Sequence, residues 1–595
     1  MIGTDIYNDL ETFREAVKGA FQGRATSLPI YQPSTGPSSW QNFVASLRVP
    51  QYSELPMLML QTFRDVRNSD QPRAQLGRIF CRGQHKLLQN VSGSGKTSLI
   101  IEGLRHHWGF YFVGTIDSWN IGSNDISNIV YRLSGSGQDR LQCEDTRMYL
   151  LKIPLLIRLM AFEIFAETVD VSRATQEDRE LWLLMQACSR NYFWPADEYA
   201  MLSSEMHHRE EYHVGTEIDN TLARIRELTK DPDFQFYAII DEAQAIARSV
   251  PPFAEGEPRT SFHREFTRSW EEYPWLTLVM SGTAFPYDQY PLVHACYGPA
   301  YYLTSATGYS DRSRVAEYMK SFLPPAFAAT DSGQRLYRAS SRTRRHRFSA
   351  AYASFLEHGP EAPHTLLDDF IGRMTDFKPG DAEQLVRDEA TTMNHAKDTF
   401  QPLAIVNSHS PPLVRSTMHH VLYQFLTIGD CKKTFGRDRI ALVERSAGRF
   451  CDDNASQIIV DEPLCLVSAA QWFCESSHAA STGSFFDKGL IYNIDDPDMS
   501  SVREHAVLLL AHALSEARPF IDLFSALGPS RHRPKVELVE FHRSVDGGRT
   551  VFYSFSYERL PSSRLVILAI NCASHSDVLA WLRHERPLPF CLLPD

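Results

Sequence analysis

Residues 89–98 read QNVSGSGKTS. Such a loop suits a phosphate chain, because converging backbone N–H groups can approach the oxygens only where side-chain bulk is absent. Gly93 and Gly95 supply that freedom. Lys96 reaches the β and γ phosphates as a point charge, and the Thr97 hydroxyl is placed to ligate Mg²⁺. The whole loop, Asn90, Val91, Ser92, Gly93, Ser94, Gly95, Lys96, Thr97 and Ser98, is the candidate nucleotide site. Asn90 stands where the usual pattern has its first glycine. Asparagine tolerates left-handed backbone better than other non-glycine residues, so the turn is expected to survive there.

The flanks place this loop in a fold. HKLLQN before it reads as a strand, and TSLIIEGLRHHW after it carries Leu99, Ile100, Leu104 and Trp108 at helical spacing. GFYFVG, residues 109–114, reads as a second strand. Strand, loop, helix and strand form a βαβ unit and imply a parallel sheet. Helical patterns over 146–167 and 176–188 are expected to form an insertion beside that sheet, and another helix is expected over 216–228. Two further buried strands are expected in FQFYAIIDEAQ and LTLVMSGT, giving four strands between about residues 87 and 283.

Both of these strands end in polar residues that suit nucleotide chemistry. Asp241 ends an apolar run, where a carboxylate can hold Mg²⁺ through water. Glu242 follows and is suited to polarise an attacking water, a general-base role worth about 10²–10⁴-fold in rate. An acidic pair after a strand is commonly a solvated turn; downstream of a phosphate loop, in the same predicted sheet, it gains meaning. Ser281 and Thr283 end the next strand, where a polar residue can contact the γ-phosphate or the water. The run RLYRASSRTRRHRFSAAY is rich in arginine, and Arg345 and Arg347 are the candidates to face the nucleotide from a lid. A γ-phosphate arginine contributes about 10³–10⁵ in rate. Contact with nucleic acid or a protein partner is another use for residues 335–347.

Composition sets the outer bounds. A chain of 595 residues exceeds one hydrophobic core. The formal charge of -12 argues against wholesale electrostatic binding to nucleic acid. The 10 cysteines are scattered without a CxxC pair, which implies reduced thiols and a cytoplasmic or nuclear protein. The first residues show no secretory pattern. KIPLLIRLMAFEIF is interrupted by Arg158 and Glu163 and is too short to span a bilayer. Adjacent histidines (His106–His107, His207–His208, His419–His420) point apart on a helix and are poorly placed to share a metal. The expected organisation is an N-terminal leader over 1–75, a P-loop core over 76–305 and a helical lid over 306–400. A winged-helix-like region over 401–500 and a small α/β domain over 501–595 complete it, with strand candidates VELVEF, TVFYSFSY and RLVILAI.

The string NVSGSGKTSLIIEGLRHHWGFYFVG, then IIDEAQ, then SGT, then RRHRFSAAY with PHTLLDDFI behind it, resembles the fungal P-loop NTPases of the crinkler type. The resemblance runs from about residue 92 to the end. It implies an NTPase like those of AAA+ and STAND proteins, often followed by a restriction-endonuclease-like domain, in effectors or toxins that act inside cells. It marks Gly95, Lys96 and Thr97 for phosphate and Mg²⁺, and Asp241 and Glu242 for Mg²⁺ and hydrolysis. Ser281 and Thr283 become sensor-like, and Arg345 and Arg347 lid arginines. The secretion module of that family is not visible at the start of the chain. The tail offers one terminal aspartate where a nuclease needs two acids and a lysine, so no nuclease activity is expected. ATP with Mg²⁺ is the expected ligand set, homo-oligomerisation is open, and no membrane is involved. Two other readings stay open: a nucleotide-dependent switch that does not hydrolyse, and the remnant of a nuclease effector.

Overall fold

The computed structural model describes residues 28–33, 38–52, 55–60, 70–116, 120–134, 144–190, 196–207, 213–248, 262–285, 301–305, 322–324, 363–375, 405–407, 409–428, 434–476, 518–519, 535–540 and 590–594, with a few isolated positions besides. The arginine-rich run 335–347, including Arg345 and Arg347, lies outside them, as do the strands expected over 550–557 and 564–570.

The chain is mixed α/β, built on a five-stranded sheet. Its strands are β1 (His85–Gln89), β2 (Gly109–Val113), β3 (Phe236–Asp241), β4 (Leu276–Gly282) and β5 (Tyr301–Thr304). Their order is β2-β3-β4-β1-β5, and every neighbouring pair is parallel. The fifth strand corrects the count of four. Its four residues, YYLT, have strand-forming composition but make too short a run to be read as a strand alone, and they pair with β1, where Leu88 lies opposite Thr304.

Parallel strands need crossover helices, which cover both faces and make the strands apolar throughout. β2 and β3 are buried along their whole length. Side chains alternate between the faces. Phe110 and Phe112 join a core with α2 (Asp125–Ser134), α3 (Glu144–Thr168), α6 (Val214–Thr229) and α8 (Phe262–Glu271). Tyr111 and Val113 point the other way, into a core with Ile100, Ile101 and Leu104 of α1 (Lys96–Leu104). Leu28, Tyr52, Met57 and Leu60 belong to that second core. These residues of the expected leader are therefore part of the globular unit, and the Arg105 guanidinium donates to the Leu60 carbonyl at 3.0 Å.

The expected insertion has a structural task. α4 (Gln176–Ala187) lies along the outer edge of β2, between α3 and α5 (Glu198–Met206) in sequence. The Trp182 indole N–H donates to the Gly109 carbonyl at 2.8 Å, and the Gln186 side chain accepts from the Tyr111 N–H at 3.0 Å. Two side chains thus stand in for a neighbouring strand and cover an edge that would otherwise invite pairing.

Contacts within the chain define two compact units. The first comprises Met1–Phe370, Pro379–Lys397 and Phe435–Ile458. The structure so groups residues 435–458 with the sheet, whereas the sequence pattern set them inside a 401–500 region. In the second unit, helix Pro412–Ile428 packs on helix Pro463–Ser476, with His419 edge-on to Phe473 at 5.2 Å. The same unit holds an antiparallel sheet of Arg518–Pro519, Lys535–Glu540 and Phe590–Pro594. Among the described residues no helix is long and apolar enough to cross a membrane.

Arg158, which breaks the apolar run of α3, is fully buried and pairs with fully buried Asp125 at 2.9 Å. Its guanidinium lies over the Tyr199 ring at 3.4 Å. Burial raises the Asp125 carboxyl to about 6, against the opposing pull of Arg158. Removing one partner strands a buried charge, so Asp125→Ala is expected to destabilise the first unit by about 3–5 kcal/mol. Asp125→Leu combined with Arg158→Met should recover most of that loss in urea denaturation.

Candidate functional site

Between β1 and α1 the chain must turn while leaving its amides accessible. It does so with Gly93 at φ 78° and Gly95 at φ 86°, conformations that a side chain would strain. Gly95 is the residue before α1, and no side chain caps that helix end. The first-turn N–H groups and the positive end of the helix dipole therefore face the loop's concavity. Asn90 takes no left-handed conformation, so the tolerance expected of it is not used. Its side chain is engaged instead. Oδ1 accepts from the N–H of Val91 at 2.8 Å and of Phe450 at 3.0 Å, and Nδ2 donates to the Phe450 carbonyl at 3.3 Å.

Lys96 is buried, and its ammonium donates to the carbonyls of Asn90 at 2.8 Å and Val91 at 3.1 Å. The cation is thus held inside the loop it closes. The Ser94 hydroxyl is buried with no hydrogen-bond partner among the described residues. Buried polar atoms are ordinarily satisfied, and an orphan in a loop of this kind marks a place for a polar ligand.

The acids reach the loop by a route that strand order explains. β3 does not neighbour β1; β4 lies between them. The connection from β1 through α1 to β2 must cross over β4 and β3, so the start of α1 passes above the end of β3. There the Thr97 hydroxyl donates to Asp241 Oδ2 at 2.7 Å. The Tyr111 hydroxyl, one strand further out, donates to the same oxygen at 3.4 Å. Burial raises the Asp241 pKa, the charge of Glu242 adds to the rise, and Thr97, Ser281 and Lys96 oppose it.

Glu242 sits at φ 51°, a left-handed conformation that costs a non-glycine residue of order 1–3 kcal/mol. Gln244, which opens the short helix α7 (Gln244–Arg248), spans the site. Its Nε2 donates to Glu242 Oε2, and its Oε1 accepts from the Thr283 N–H at 3.2 Å. A Cβ on Gly282 would stand 2.6 Å from that Oε1, so the bridge needs a glycine there. Ser281 is fully buried and Thr283 nearly so. Because β4 separates β1 from β3, its end falls between the loop and the acids.

The structure thus brings together residues 90–98, Asp241, Glu242, Ser281 and Thr283. Sequence reasoning missed Tyr111, Gln244 and Phe450. Gln244 was legible as the last residue of DEAQ, and nothing local marked the other two. Among the described residues no three His, Cys, Asp or Glu side chains cluster to hold a metal alone. The donor set of Thr97 and Asp241 fits Mg²⁺, which is characteristically bound by one or two protein oxygens together with substrate phosphates. The glycine cradle, the uncapped helix and the Ser94 hydroxyl fit a phosphate chain. A separate cavity of about 360 Å³ lies beside the starts of β2 and β3, lined by His107, Trp108 and Tyr237 among others.

No family model matches this chain, and no curated protein matches it. Among solved structures it is similar to a Walker-type ATPase of Pyrococcus abyssi, at 12% identity and a TM-score of 0.33, over 68% of this chain and 95% of that one.

The Thr97–Asp241 bond also ties α1 to β3. Thr97→Val, which keeps the shape and loses the hydroxyl, is expected to cost about 1.5–3 kcal/mol in denaturant unfolding of the ligand-free protein, the range for hydrogen bonds to a charged group.

Proposed function

We propose that this protein is a P-loop NTPase that hydrolyses ATP with Mg²⁺. The observation that carries the reading is the 2.7 Å bond from Thr97 to Asp241, which sets the end of the phosphate loop against a buried carboxylate. The amides around Gly93 and Gly95 and the first turn of α1 would take the phosphate oxygens, and Lys96 would neutralise them. Thr97 and Asp241 would hold Mg²⁺, which supplies Lewis-acid charge neutralisation on phosphate oxygens when bound. Glu242 would accept the proton of the attacking water, and Ser281 and Thr283 would contact the γ-phosphate or that water. Electrostatic positioning of this kind accounts for most phosphoryl-transfer catalysis. Arg345 and Arg347 complete the reading as lid arginines. The crinkler-type resemblance adds an effector-like role, in which turnover drives or gates conformational change.

One observation favours a second reading, a nucleotide-dependent switch without turnover. Gln244 engages the Glu242 carboxylate and ties the proposed base to the backbone of Thr283.

Nucleotide affinity and turnover on four proteins test both. Lys96→Ala is expected to lose binding. Glu242→Gln should bind ATP within a few-fold of the unmodified chain and lose about 10²-fold or more in turnover. Gln244→Ala should change turnover and leave affinity intact. Turnover by Glu242→Gln at the unmodified rate removes Glu242 from the chemistry. Binding without turnover in the unmodified chain selects the switch.

A further inference from the structure

Asn90 is tied at every polar group that the loop and its surroundings can reach. Its backbone N–H donates to the Gly282 carbonyl at the end of β4 at 3.2 Å, and its carbonyl accepts from Lys96 Nζ at 2.8 Å. Its carboxamide closes on both backbone groups of Phe450, accepting from the N–H at 3.0 Å and donating to the carbonyl at 3.3 Å. That pair reproduces with a side chain what a strand neighbour would give. Asn90 is 1% exposed and Phe450 0%, so water does not compete for these bonds. A glycine, the residue usual at this place in the motif, could make neither.

Phe450 belongs to a segment that is itself docked on the same end of the sheet. Residue 435 pairs with 458 through two reciprocal bonds of 2.7 Å, and the Cys451 N–H donates to the Gln457 carbonyl at 2.9 Å. Ser305, directly after β5, donates its N–H to the Asp453 carbonyl at 3.1 Å and its hydroxyl to the Asp452 carbonyl at 2.6 Å. Arg78 pairs with Asp453 at 2.6 Å. The segment Phe435–Ile458 is therefore held by Ser305 after β5, by Arg78 of the helix Asp70–Ile79 and by Asn90 after β1, and its one link to the loop itself among these bonds is Asn90.

We infer that Asn90 is a positioning residue that couples the phosphate loop to the Phe435–Ile458 segment, so that nucleotide in the loop changes the stability of that segment's backbone. The inference rests on the loop binding nucleotide. Phosphate groups that engage the loop amides and Lys96 restrict the Asn90 backbone, and the carboxamide passes the restriction to the Phe450 N–H and carbonyl. The chain leaves Phe435–Ile458 for the second unit, so a change in this segment sits where the two units join in sequence.

Hydrogen exchange of the full chain, with and without Mg²⁺ and a non-hydrolysable ATP analogue, reads the coupling directly, with affinity measured by calorimetry on the same samples. In the unmodified protein the analogue is expected to slow exchange at peptides covering 449–458 by about threefold or more, by suppressing local opening. Asn90→Gly, studied at an analogue concentration that saturates its own measured affinity, should exchange about tenfold faster at Phe450 without ligand and show no ligand effect there, as expected for two lost buried hydrogen bonds. Asn90→Asp keeps the acceptor for the Phe450 N–H but sets a carboxylate against the Phe450 carbonyl, and should lose the ligand effect as well. If the unmodified protein binds the analogue and exchange over 449–458 does not respond, or if both variants respond as it does, the coupling is wrong and the nucleotide reading stands. If the unmodified protein binds no analogue, both fall.

Discussion

The hydrogen bond between Thr97 and Asp241 joins residues 144 apart in sequence and lies where every feature of the site meets. It exists because β1 and β2 are at opposite sides of β3 and β4 in a parallel sheet. A right-handed crossover between them has to carry α1 over the ends of the two intervening strands. The hydroxyl at the start of the helix then meets the carboxylate at the end of β3, and the end of β4 is enclosed between. Asp241 is held in a place where burial works against its charge, and hydroxyls from Thr97 and Ser281 and the ammonium of Lys96 offset part of that cost.

Such a site needs strands held in place by their surroundings, and both faces of the sheet are densely packed. Apolar faces on both sides of the sheet are covered by helices, and the aromatic contacts are close: Phe162 meets Phe236 at 4.8 Å and Trp182 at 5.1 Å. The open edge of β2 is covered by Trp182 and Gln186 rather than by another strand. The buried Asp125–Arg158 pair adds a polar constraint on how α2 and α3 meet in the first core. Against this fixed frame stand two features with adjustable hydrogen bonding, the Gln244 bridge to Glu242 and the Asn90 bridge to Phe450. Both are side-chain amides, which can donate and accept at once and so link two partners without adding charge.

Much of this frame was legible in one dimension because its signals are local. The alternation of Phe110, Tyr111, Phe112 and Val113 marks a strand buried on both faces, whatever its neighbours. Leu99, Ile100 and Leu104 mark the helix after the loop, and the glycines at 93 and 95 mark positions where φ must be positive. The acids at the end of β3 and the hydroxyls at the end of β4 could be assigned to one end of a parallel sheet, since strands in such a sheet all end on the same side. The signals failed where a residue's state depends on a distant partner. Tyr301–Thr304 is short, and its place in the sheet is set by pairing with the second edge of β1. Asn90 looked like a weakened glycine, because nothing within the loop reveals a backbone 360 residues away.

By itself, then, the amino-acid sequence determined a glycine loop between a strand and a helix, a doubly covered parallel sheet and a pair of carboxylates at a strand's end, because periodicity, glycine placement and strand polarity are properties of short stretches of chain. Tertiary structure alone decided the strand order that sets β4 between loop and acids, the meeting of Thr97 with Asp241, the bridge from Gln244 to Thr283 and the clasp of Asn90 on Phe450. Each of those is a hydrogen bond between groups brought together by crossover and burial, and a directional bond of that kind leaves no trace in the order of residues on either side of it.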